Sequence, residues 1–461
     1  VELRTKNDLD NKNLANLPIL KCFMKRVLRE IITVNSVDQS YTSLERELIK
    51  YKAKFYDHQF PPNLNSLIKG YFIQKNEEID KNIFLKNIIW KRISEIDNSQ
   101  KMFPKKDNDF PNDIIYSDFS CENFVIAISL IAKHPDIIKH IFASPIKKSE
   151  EGIYALHFLK NGLLQEIVID DYFPVNKKGK KCFSYEKNGY LGVQILEKAY
   201  AKSIGSYNLI KKINIKQIIR DLTLAPVITI NDFYDDLYNI LKKAIKNQWI
   251  ILARTKGKNV SNETSLKPHS EYQIIEIDEA YSPHNNNDSR YNENNTNVKV
   301  KLIWRKDKDN DQSGKTLIYI RFDDLKYYYE DIKIFKYIKD FHYNSIQINQ
   351  NPKEYSLVKM TIFHKDPLKN NHFFIFFTQG EKNYYSGKKE NKYRISRLIL
   401  CKLSERDGKS EKDICYIKGE MGQDREIILE ADNSDFNLGE YLIFCELDEY
   451  EIKTKYIISD Y

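Results

Sequence analysis

Residues 113–124 read Asp-Ile-Ile-Tyr-Ser-Asp-Phe-Ser-Cys-Glu-Asn-Phe and lead into a segment predicted to be helical from Ser120 to about Lys133. Glu122 falls in the first turn of that helix. A carboxylate there meets the partial positive charge of unpaired backbone amides, a favourable effect of roughly 0.3–1 kcal/mol when the side chain is exposed. We therefore expect Glu122 either to stabilise the helix or to be a solvated side chain without net effect.

Four further stretches, spread along the chain, carry a recognisable pattern. They are residues 56–62, Tyr-Asp-His-Gln-Phe-Pro-Pro, with Ser66 and Leu67; residues 90–92, Trp-Lys-Arg; residues 166–171, Glu-Ile-Val-Ile-Asp-Asp, with Phe173 and Pro174; and residues 195–202, Ile-Leu-Glu-Lys-Ala-Tyr-Ala-Lys, with Gly205, Ser206 and Tyr207. Together they resemble the calpain family of cysteine peptidases, in which the last run reads L-L-E-K-A-Y-A-K. The resemblance implies an α+β fold, namely a papain-like two-lobed calpain protease core followed by a calpain-type β-sandwich domain.

Residues 113–124 align without a gap with the calpain motif D-I-x-Q-G-x-L-G-D-C-W-F, but they lack its reactive groups. Glu122 falls on the position of the catalytic Cys, Tyr116 on that of the Gln that helps bind the oxyanion, and Asn123 on that of the Trp. Ser117 and Ser120 replace two glycines. The resemblance therefore implies a member of the family whose nucleophile has been lost.

The other positions of the catalytic triad are replaced as well. Residues 268–274 align by Tyr272 with the calpain motif G-H-A-Y-S-V, which puts Ser270 on the position of the catalytic His. The orienting Asn of the family lies in R-N-P-W-G, whereas residues 305–309 here read Arg-Lys-Asp-Lys-Asp. Because a cysteine peptidase needs a thiolate, an imidazole and a group that orients the imidazole, we expect this chain not to be an enzyme.

One alternative retains the chemistry. Cys121 and His269 each lie one residue before the expected position, so an active peptidase with a shifted register could pair them. One residue along a helix rotates a side chain by about 100°, and one residue along the strand predicted for His269 turns a side chain to the opposite sheet face. We therefore expect both groups to point away from the cleft, and Cys121 to be an ordinary buried or half-buried thiol.

Four segments are predicted. Residues 1–40 form an N-terminal extension, residues 41–207 the helical half of the core, residues 208–340 its β-rich half, and residues 341–461 the β-sandwich. In the second half we predict a helix at 235–246 and strands at 249–254, 272–277, 298–304 and 317–322. In the last segment, seven strands are predicted, at 356–363, 372–378, 394–401, 414–419, 426–431, 441–445 and 453–458, and residues 438–443 resemble the calpain sandwich signature L-x-P-G-E-Y-V-I.

Two predicted helices precede the core motifs. The basic amphipathic helix at residues 18–33 could pack on its own core, contact a membrane surface or bind a groove on a partner. A capping box beginning at Thr42 is predicted to open the next helix, which runs to about Phe55. The chain begins at Val1 without an initiator Met, so we expect a processed product or a segment of a longer protein.

Composition narrows the choice of partners and ligands. The chain of 461 residues has 73 basic and 65 acidic side chains, a net charge of +8, and no basic motif interleaved with aromatics, so we expect no nucleic-acid partner.

Six scattered cysteines predict reduced thiols and no metal site. No apolar run approaches the ~18 residues of a transmembrane segment. Calpain cores and sandwiches can bind calcium, but Asp307, Asp309 and Asp311 lack the Gly and Glu of an EF-hand loop. We therefore expect no cofactor with a matched site, and a calcium-regulated sensor or membrane adaptor stays an alternative.

An inert peptidase fold with a sandwich and a cationic helix suits docking to other proteins. We therefore expect a pseudoprotease that acts as a structural, scaffolding or protein-binding component. Its expected location is the cytoplasm, with a large cytoskeletal or ciliary assembly as the candidate setting. This location rests on the class of protein and on no particular residue.

Overall fold

The protein is described here from a computed structural model. Its described residues are 40–68, 88–97, 99–103, 114–115, 117, 119–144, 146–231, 236–257, 266–279, 298–305, 315–338, 343–350, 355–362, 373–380, 393–405, 412–431, 438–447 and 454–460. The predicted helix at 18–33, the site position Tyr116 and residues 306–314 lie outside this set.

Contacts between residues divide the chain into two compact units. Unit 1 comprises residues 1–158 and 166–214, and unit 2 comprises residues 159–165 and 215–461. The segments predicted at 41–207, 208–340 and 341–461 divide the chain more finely, and they stay a prediction. The helices and strands together make this an α+β protein.

Unit 1 is built mainly from helices, with three short two-stranded sheets. Its helices are α1 (Tyr41–Tyr51), α2 (Leu64–Leu67), α3 (Ile93–Ile96), α4 (Glu122–Ile131), α5 (Pro135–Ile141) and α6 (Gly192–Ile204), and a 3-10 helix follows at Tyr207–Lys212. Its strands are β1 (Ile88–Arg92), β2 (Ile114–Ile115), β3 (Ile153–Lys160), β4 (Leu163–Asp170), β5 (Tyr172–Asn176) and β6 (Tyr185–Glu186). The pairs are β1 with β5, β2 with β6, and β3 with β4; the tip of the last pair, residues 159–165, belongs to unit 2.

Helix α6 is buried on nearly every side, including its charged residues. Lys198 is fully buried, forms an ion pair with Asp170 and donates a hydrogen bond to the Tyr172 carbonyl at 2.7 Å. One turn later, Lys202 lies 2.8 Å from the Asp57 carboxylate. The Asp57 amide in turn donates to Asp170 Oδ2 at 2.9 Å. In this network each buried charge has its counter-charge. The network therefore accounts for the charged residues in three of the quoted motifs.

The Trp-Lys-Arg motif joins the same region through Arg92. Its guanidinium forms an ion pair with Asp171, and Nη2 donates to the Phe55 carbonyl at 2.8 Å. The guanidinium carbon also lies 4.1 Å from the centre of the Tyr172 ring, a cation–π distance. The sequence motifs therefore mark the contacts that hold unit 1 together.

Helix α1 begins earlier and ends earlier than predicted. Ser40 is its N-cap residue, with no side-chain capping bond, so the predicted capping box at Thr42 is wrong. The start is fixed instead by a tertiary contact, because the Tyr41 amide donates to Glu166 Oε1 at 2.7 Å. The helix ends before Phe55 because Lys52 adopts a left-handed conformation (φ 49°), a common C-terminal stop.

In the first part of unit 2, a six-stranded antiparallel sheet packs against helices. Its strands are β7 (Val227–Ile230), β8 (Ile250–Thr255), β9 (Glu271–Glu279), β10 (Val298–Arg305), β11 (Lys315–Arg321) and β12 (Tyr329–Phe335), in the order β11-β10-β9-β8-β12-β7. Its helices are α7 (Ile215–Thr223), α8 (Leu237–Lys246) and α9 (Leu325–Tyr328), with a 3-10 turn at Phe322–Asp324. Alternate residues of β8 and β12 enter one core with α8, which includes Leu241, Ala253 and Ile332.

The second part of unit 2 consists of two four-stranded antiparallel sheets. One has the order β13 (Asn344–Gln350), β20 (Thr454–Asp460), β15 (Phe373–Gln379), β18 (Glu426–Ala431), and the other has the order β14 (Ser356–Ile362), β19 (Gly439–Leu447), β16 (Ser396–Glu405), β17 (Lys412–Gly422). Alternate residues from both sheets meet in a single core, among them Phe377, Leu429, Leu400 and Tyr441. The period of two along these strands is what the alternating sequence predicted.

All seven strands predicted between residues 356 and 458 are present, with boundaries that differ by a few residues. Strands β7, β12 and β13 were not predicted. In β13, Asn-Ser-Ile-Gln-Ile-Asn-Gln offers only two apolar residues, because the strand lies at the edge of its sheet. The helix predicted at 235–246 is α8, and its first described residue is Leu237.

Candidate functional site

The helix that carries position 122 is anchored by its apolar residues. Glu122 is the first residue of α4 and is exposed, while Cys121 before it is the N-cap residue with extended backbone (φ −94°, ψ 121°). Phe124 and Val125 are buried, and the Phe124 ring centre lies 5.4 Å from that of Tyr200 on α6. Burial of this face fixes the rotation of α4 and holds the Glu122 carboxylate at the surface of unit 1.

The thiol next to this carboxylate is turned into the protein. Cys121 is 6% exposed, and its Sγ lies 3.5 Å from the Ile210 carbonyl oxygen. Burial raises the pKa of the Cys121 thiol to about 11, although the backbone amides of Phe124 and Asn123 act in the opposite direction. The structure therefore places a buried, protonated thiol where the sequence predicted one.

Polar side chains near the start of α4 are engaged in local bonds. The Asn123 side chain donates to the Ile213 carbonyl at 3.2 Å. The Ser117 hydroxyl donates to the Cys182 carbonyl, and the Ser117 amide donates to Ser120 Oγ at 3.0 Å. At the two positions where the calpain motif has glycine, the hydroxyls thus take part in the hydrogen bonding of a turn that leads into the helix.

The sequence analysis did not identify a buried acid that lies close to Cys121. Glu197 on α6 is 1% exposed and accepts hydrogen bonds from the Ser184 amide at 2.8 Å and the Ser184 hydroxyl at 3.0 Å. Burial raises the pKa of Glu197 to about 7, and the two bonds from Ser184 only partly offset that effect. The signal in the sequence was an acid set among apolar residues in the run 195–202, which was used only as part of a motif.

Unit 2 carries the remaining described site positions, just before β9. The Ser270 amide donates to Thr255 Oγ1 at 2.8 Å, and the Ser270 hydroxyl donates to the Pro268 carbonyl at 3.0 Å. The Thr255 hydroxyl donates to the Lys267 carbonyl at 2.7 Å. These bonds close a turn and leave at position 270 a hydroxyl that cannot exchange protons near neutral pH as an imidazole does.

The prediction that His269 lies on a strand is wrong. His269 occupies the turn with φ 50°, and β9 begins two residues later at Glu271. Its ring lies against Gly257, since a Cβ atom added to Gly257 would come within 2.2 Å of His269 Nε2. The alternation that marks β9 stops short of His269 because the bonds between Thr255 and Ser270 impose a turn there.

Residues 221–225 read Asp-Leu-Thr-Leu-Ala where the calpain motif reads D-L-T-G-G, and the loss of the two glycines is still visible in the backbone. Leu224, immediately after α7, has φ 59°, in the left-handed region that favours glycine. Its amide donates to the Arg220 carbonyl at 3.0 Å, and the Arg220 guanidinium donates to the Leu224 carbonyl. The conformation of a glycine has therefore been kept at a residue that carries a side chain.

The described residues contain no group of three or more His, Cys, Asp or Glu side chains placed to bind a metal ion. Within the same ranges, no helix combines the length and apolar character needed to span a membrane. The position of the family's orienting Asn, after β10, falls in residues 306–314, outside the described set.

Comparisons with known proteins agree with these motifs. A sequence profile described as calpain family cysteine protease matches residues 55–306. The chain is 30% identical over 241 residues to calpain-14 of Homo sapiens, covering 50% of this chain and 33% of that protein. It is 26% identical over 233 residues to calpain-5 of Caenorhabditis elegans, covering 47% and 34%. With the calpain-type cysteine protease ADL1 of Oryza sativa subsp. japonica, it shares 29% identity over 203 residues, covering 41% and 9%.

The alignments span about a third of each of the two animal relatives and less than a tenth of the rice protein. The profile match itself covers more than half of this chain. It includes the residues of the buried network around Lys198 and both described parts of the site, Cys121 to Asn123 and His269 to Ser270. The chain belongs to the calpain family of cysteine proteases.

Proposed function

We propose that this protein is a catalytically inactive calpain-family member, a pseudoprotease that works as a structural, scaffolding or protein-binding component. One observation carries the proposal: the residue at the nucleophile position is Glu122, whose exposed carboxylate opens α4. A calpain-type reaction begins with addition of a thiolate to the peptide carbonyl. A carboxylate at that position does not supply the sulfur nucleophile.

The other two positions of the catalytic triad support the same proposal. Ser270, at the position of the family's catalytic His, uses its hydroxyl within its own turn, so no base stands at that position to activate a nucleophile. The sequence from 305 to 309 also lacks the Asn-Pro-Trp-Gly of the family. Loss of each member of the triad removes a separate part of the mechanism.

An active peptidase with a shifted register, using Cys121 and His269, is the alternative. Against it, burial keeps the Cys121 thiol protonated, with a pKa of about 11. The pKa of a catalytic thiol is lowered instead, to about 3.5–7.5. His269 belongs to a left-handed turn in unit 2 and rests on Gly257. The burial of Cys121 is therefore the observation that speaks against this alternative.

The finer parts of the proposal concern architecture and location. We assign the two four-stranded sheets between residues 343 and 460 to a calpain-type β-sandwich, on the strength of their shared core and of residues 438–443. A cytoplasmic protein partner, within a large cytoskeletal or ciliary assembly, fits a calpain-like chain without its chemistry. Contact of residues 18–33 with a membrane surface belongs to the same proposal.

A screen of fluorescent peptides on an array tests whether the degenerate site still binds protein segments. We expect selected peptides to bind the intact chain and to lose affinity in Glu122→Gln and Ser270→Ala, because both variants alter the polar groups at the site. Glu446→Gln, which removes an exposed charge from β19, serves as the matched control. Binding that is indifferent to both site variants would move the partner site to the sheets of residues 343–460 or to the N-terminal segment.

A further inference from the structure

A second concave site lies in unit 1 and shares no residue with the degenerate catalytic positions. It is a pocket of about 420 Å³ between α1 and the loop that leads into β3. The residues that matter to its chemistry are Tyr41, Glu45, Ser144, Glu150, Glu151 and Tyr154. A volume of this size holds one long amino-acid side chain together with part of its backbone.

The wall of this pocket contains a polar group without a partner. Ser144 is only 4% exposed, and its hydroxyl makes no hydrogen bond with any residue that the structure describes. Its backbone is well held, since the amide lies 3.1 Å from the Ala155 carbonyl oxygen. A buried hydroxyl left unpaired costs roughly 1–3 kcal/mol. A ligand that enters the pocket would supply the missing hydrogen-bond partner.

Negative charge is concentrated at the tyrosine end of the pocket. The Tyr41 hydroxyl donates to Glu45 Oε1, which engages one of the two carboxylate oxygens. Burial raises the pKa of the Tyr41 hydroxyl, and the carboxylates of Glu45 and Glu151 raise it further. Burial likewise raises the pKa of Tyr154, and Glu150 contributes to that rise. The two phenols therefore sit in a field that favours a cation.

Two lysines also line the pocket, and they do not cancel this field. Lys147 is exposed to solvent, where a charge is strongly screened. Lys148 lies close enough to Asp97 to help lower the pKa of that carboxyl. Glu150 is exposed and screened as well, so two half-buried carboxylates, Glu45 and Glu151, line the pocket with one half-buried ammonium group, Lys148, which also acts on an acid outside the pocket.

We propose that this pocket binds the guanidinium group of an arginine side chain presented by a protein partner. Guanidinium is a planar fork of donors with no acceptor, and it binds carboxylates and stacks on aromatic rings. Glu45 and Glu151 would receive its donors, and the Ser144 hydroxyl would accept one more. The exposed side chain of Ile49 lines the same pocket and offers an apolar surface to the stem of the arginine.

Titration of the intact chain with Nα-acetyl-L-arginine amide, followed by saturation-transfer NMR, tests the proposal. The citrulline analogue, which has nearly the same shape and no charge, and the lysine analogue are the comparison ligands. We expect the arginine compound to bind roughly tenfold more tightly than either. Equal binding of citrulline would overturn the charge argument, equal binding of lysine would overturn the choice of guanidinium, and no binding of any of the three would overturn the site.

Variants separate binding from folding. Glu151→Gln should weaken arginine binding roughly tenfold, whereas Glu47→Gln, on α1 but outside the pocket, should leave it unchanged. Ser144→Ala should weaken binding and yet raise the melting temperature of the ligand-free protein, because it removes an unpaired buried hydroxyl. A purely structural serine would change stability and not affinity, and unchanged affinity in both Ser144→Ala and Glu151→Gln would contradict the proposal.

Discussion

At the scale of single residues, two effects compete at the start of α4. Cys121 is the N-cap residue, where the field of the helix lowers the pKa of a thiol, but it is also buried, which raises that pKa. Burial dominates and brings the pKa to about 11. Only about one thiol in ten thousand is then ionised at neutral pH. The neighbouring Glu122, by contrast, is exposed at the surface of unit 1.

The order in which the thiols react follows from this burial. In intact protein treated with iodoacetamide at about pH 7.5, we predict that exposed Cys415 is modified well before Cys121. Fully buried Cys445 serves as the slow reference. Peptide mapping by mass spectrometry at successive times gives the three rates. Faster modification of Cys121 than of Cys415 would favour the alternative, an active peptidase with a shifted register.

Glu197 should make stability depend on pH in an unusual direction. The folded state keeps its proton up to about pH 7, while the unfolded carboxyl releases its proton near its ordinary pKa of 4.5. The folded state therefore binds more protons between these values, and stability falls as the pH rises through that interval. Glu197→Gln removes this titration. Between pH 4.5 and 8, the free energy of unfolding of the variant, measured with denaturant, should rise relative to that of the wild type by up to about 3 kcal/mol.

The same dependence of stability on pH in both proteins would contradict the assignment to Glu197. Ser184→Ala provides a second check, because loss of the hydrogen bond from the Ser184 hydroxyl should raise the pKa of Glu197 further. Its backbone bond remains, and only the hydroxyl bond is lost. The interval over which stability falls should then extend to higher pH.

At the scale of elements, the backbone at the end of α7 keeps a conformation that favours glycine at a residue that is not glycine. Leu224 keeps φ 59° although the left-handed region is disfavoured for residues with a Cβ. Its side chain packs partly against Phe374 and Phe376, which offsets part of the strain. Packing and backbone strain thus act in opposite directions at one residue.

A pair of substitutions separates strain from packing at Leu224. Glycine is ordinarily less stable than alanine, but at this φ we predict that Leu224→Gly is more stable than Leu224→Ala by about 1 kcal/mol. Both variants lose the packing against the two phenylalanines, so their difference reports the backbone alone. Chemical denaturation measures it. Equal stability, or a more stable alanine variant, would contradict the strained conformation.

Elements with a regular period could be predicted, and elements set by tertiary contacts could not. The strand β18 (Glu426–Ala431) matches its prediction at both ends, and its apolar residues Ile427, Leu429 and Ala431 recur with a period of two and are buried. The start of α1 depends on a bond between Tyr41 and Glu166, far apart in sequence, and the turn at His269 depends on Thr255. Long-range hydrogen bonds of this kind leave no local pattern.

At the scale of the whole molecule, unit 2 is joined by charges buried in its interior. The Asp221 carboxylate of α7 lies 2.9 Å from Lys160 Nζ at the end of β3 and 3.1 Å from Arg425 Nη2 in the turn before β18. Burial alone would raise the pKa of Asp221, but Lys160 and Arg425 bring it below its ordinary value. Three elements distant in sequence thus depend on one carboxylate.

Asp221→Asn should therefore destabilise unit 2 strongly. Removing one partner of a buried ion pair costs about 3–5 kcal/mol, whereas Asp424→Asn, in the half-exposed pair with Lys216, should cost less than about 1 kcal/mol. The contribution of Asp221 is present above its unfolded pKa of 3.8 and is lost as the pH falls through the lower folded value. Thermal unfolding at neutral and acid pH compares the two variants, and similar losses in both would contradict a buried network.

The family could be read from the sequence because its motifs are also its buried contacts. Asp57, Asp170, Lys198 and Lys202 each appear in a quoted motif and meet in unit 1. The role of Asp221 could not be predicted, since nothing local in the sequence reveals that Lys160 and Arg425 approach it. Loss of the nucleophile and a buried or half-buried Cys121 were both predicted from the sequence. The buried Glu197 close to that thiol was not, because its burial depends on contacts in the fold.

Turnover of peptide by the purified protein tests the central claim most directly. A panel of fluorogenic calpain-type peptides is incubated with the intact chain, with and without calcium, beside the Cys121→Ala variant. We predict no hydrolysis above that of the variant under either condition, because Glu122 occupies the nucleophile position and the Cys121 thiol is buried and protonated. Hydrolysis by the wild type that Cys121→Ala abolishes would contradict the account.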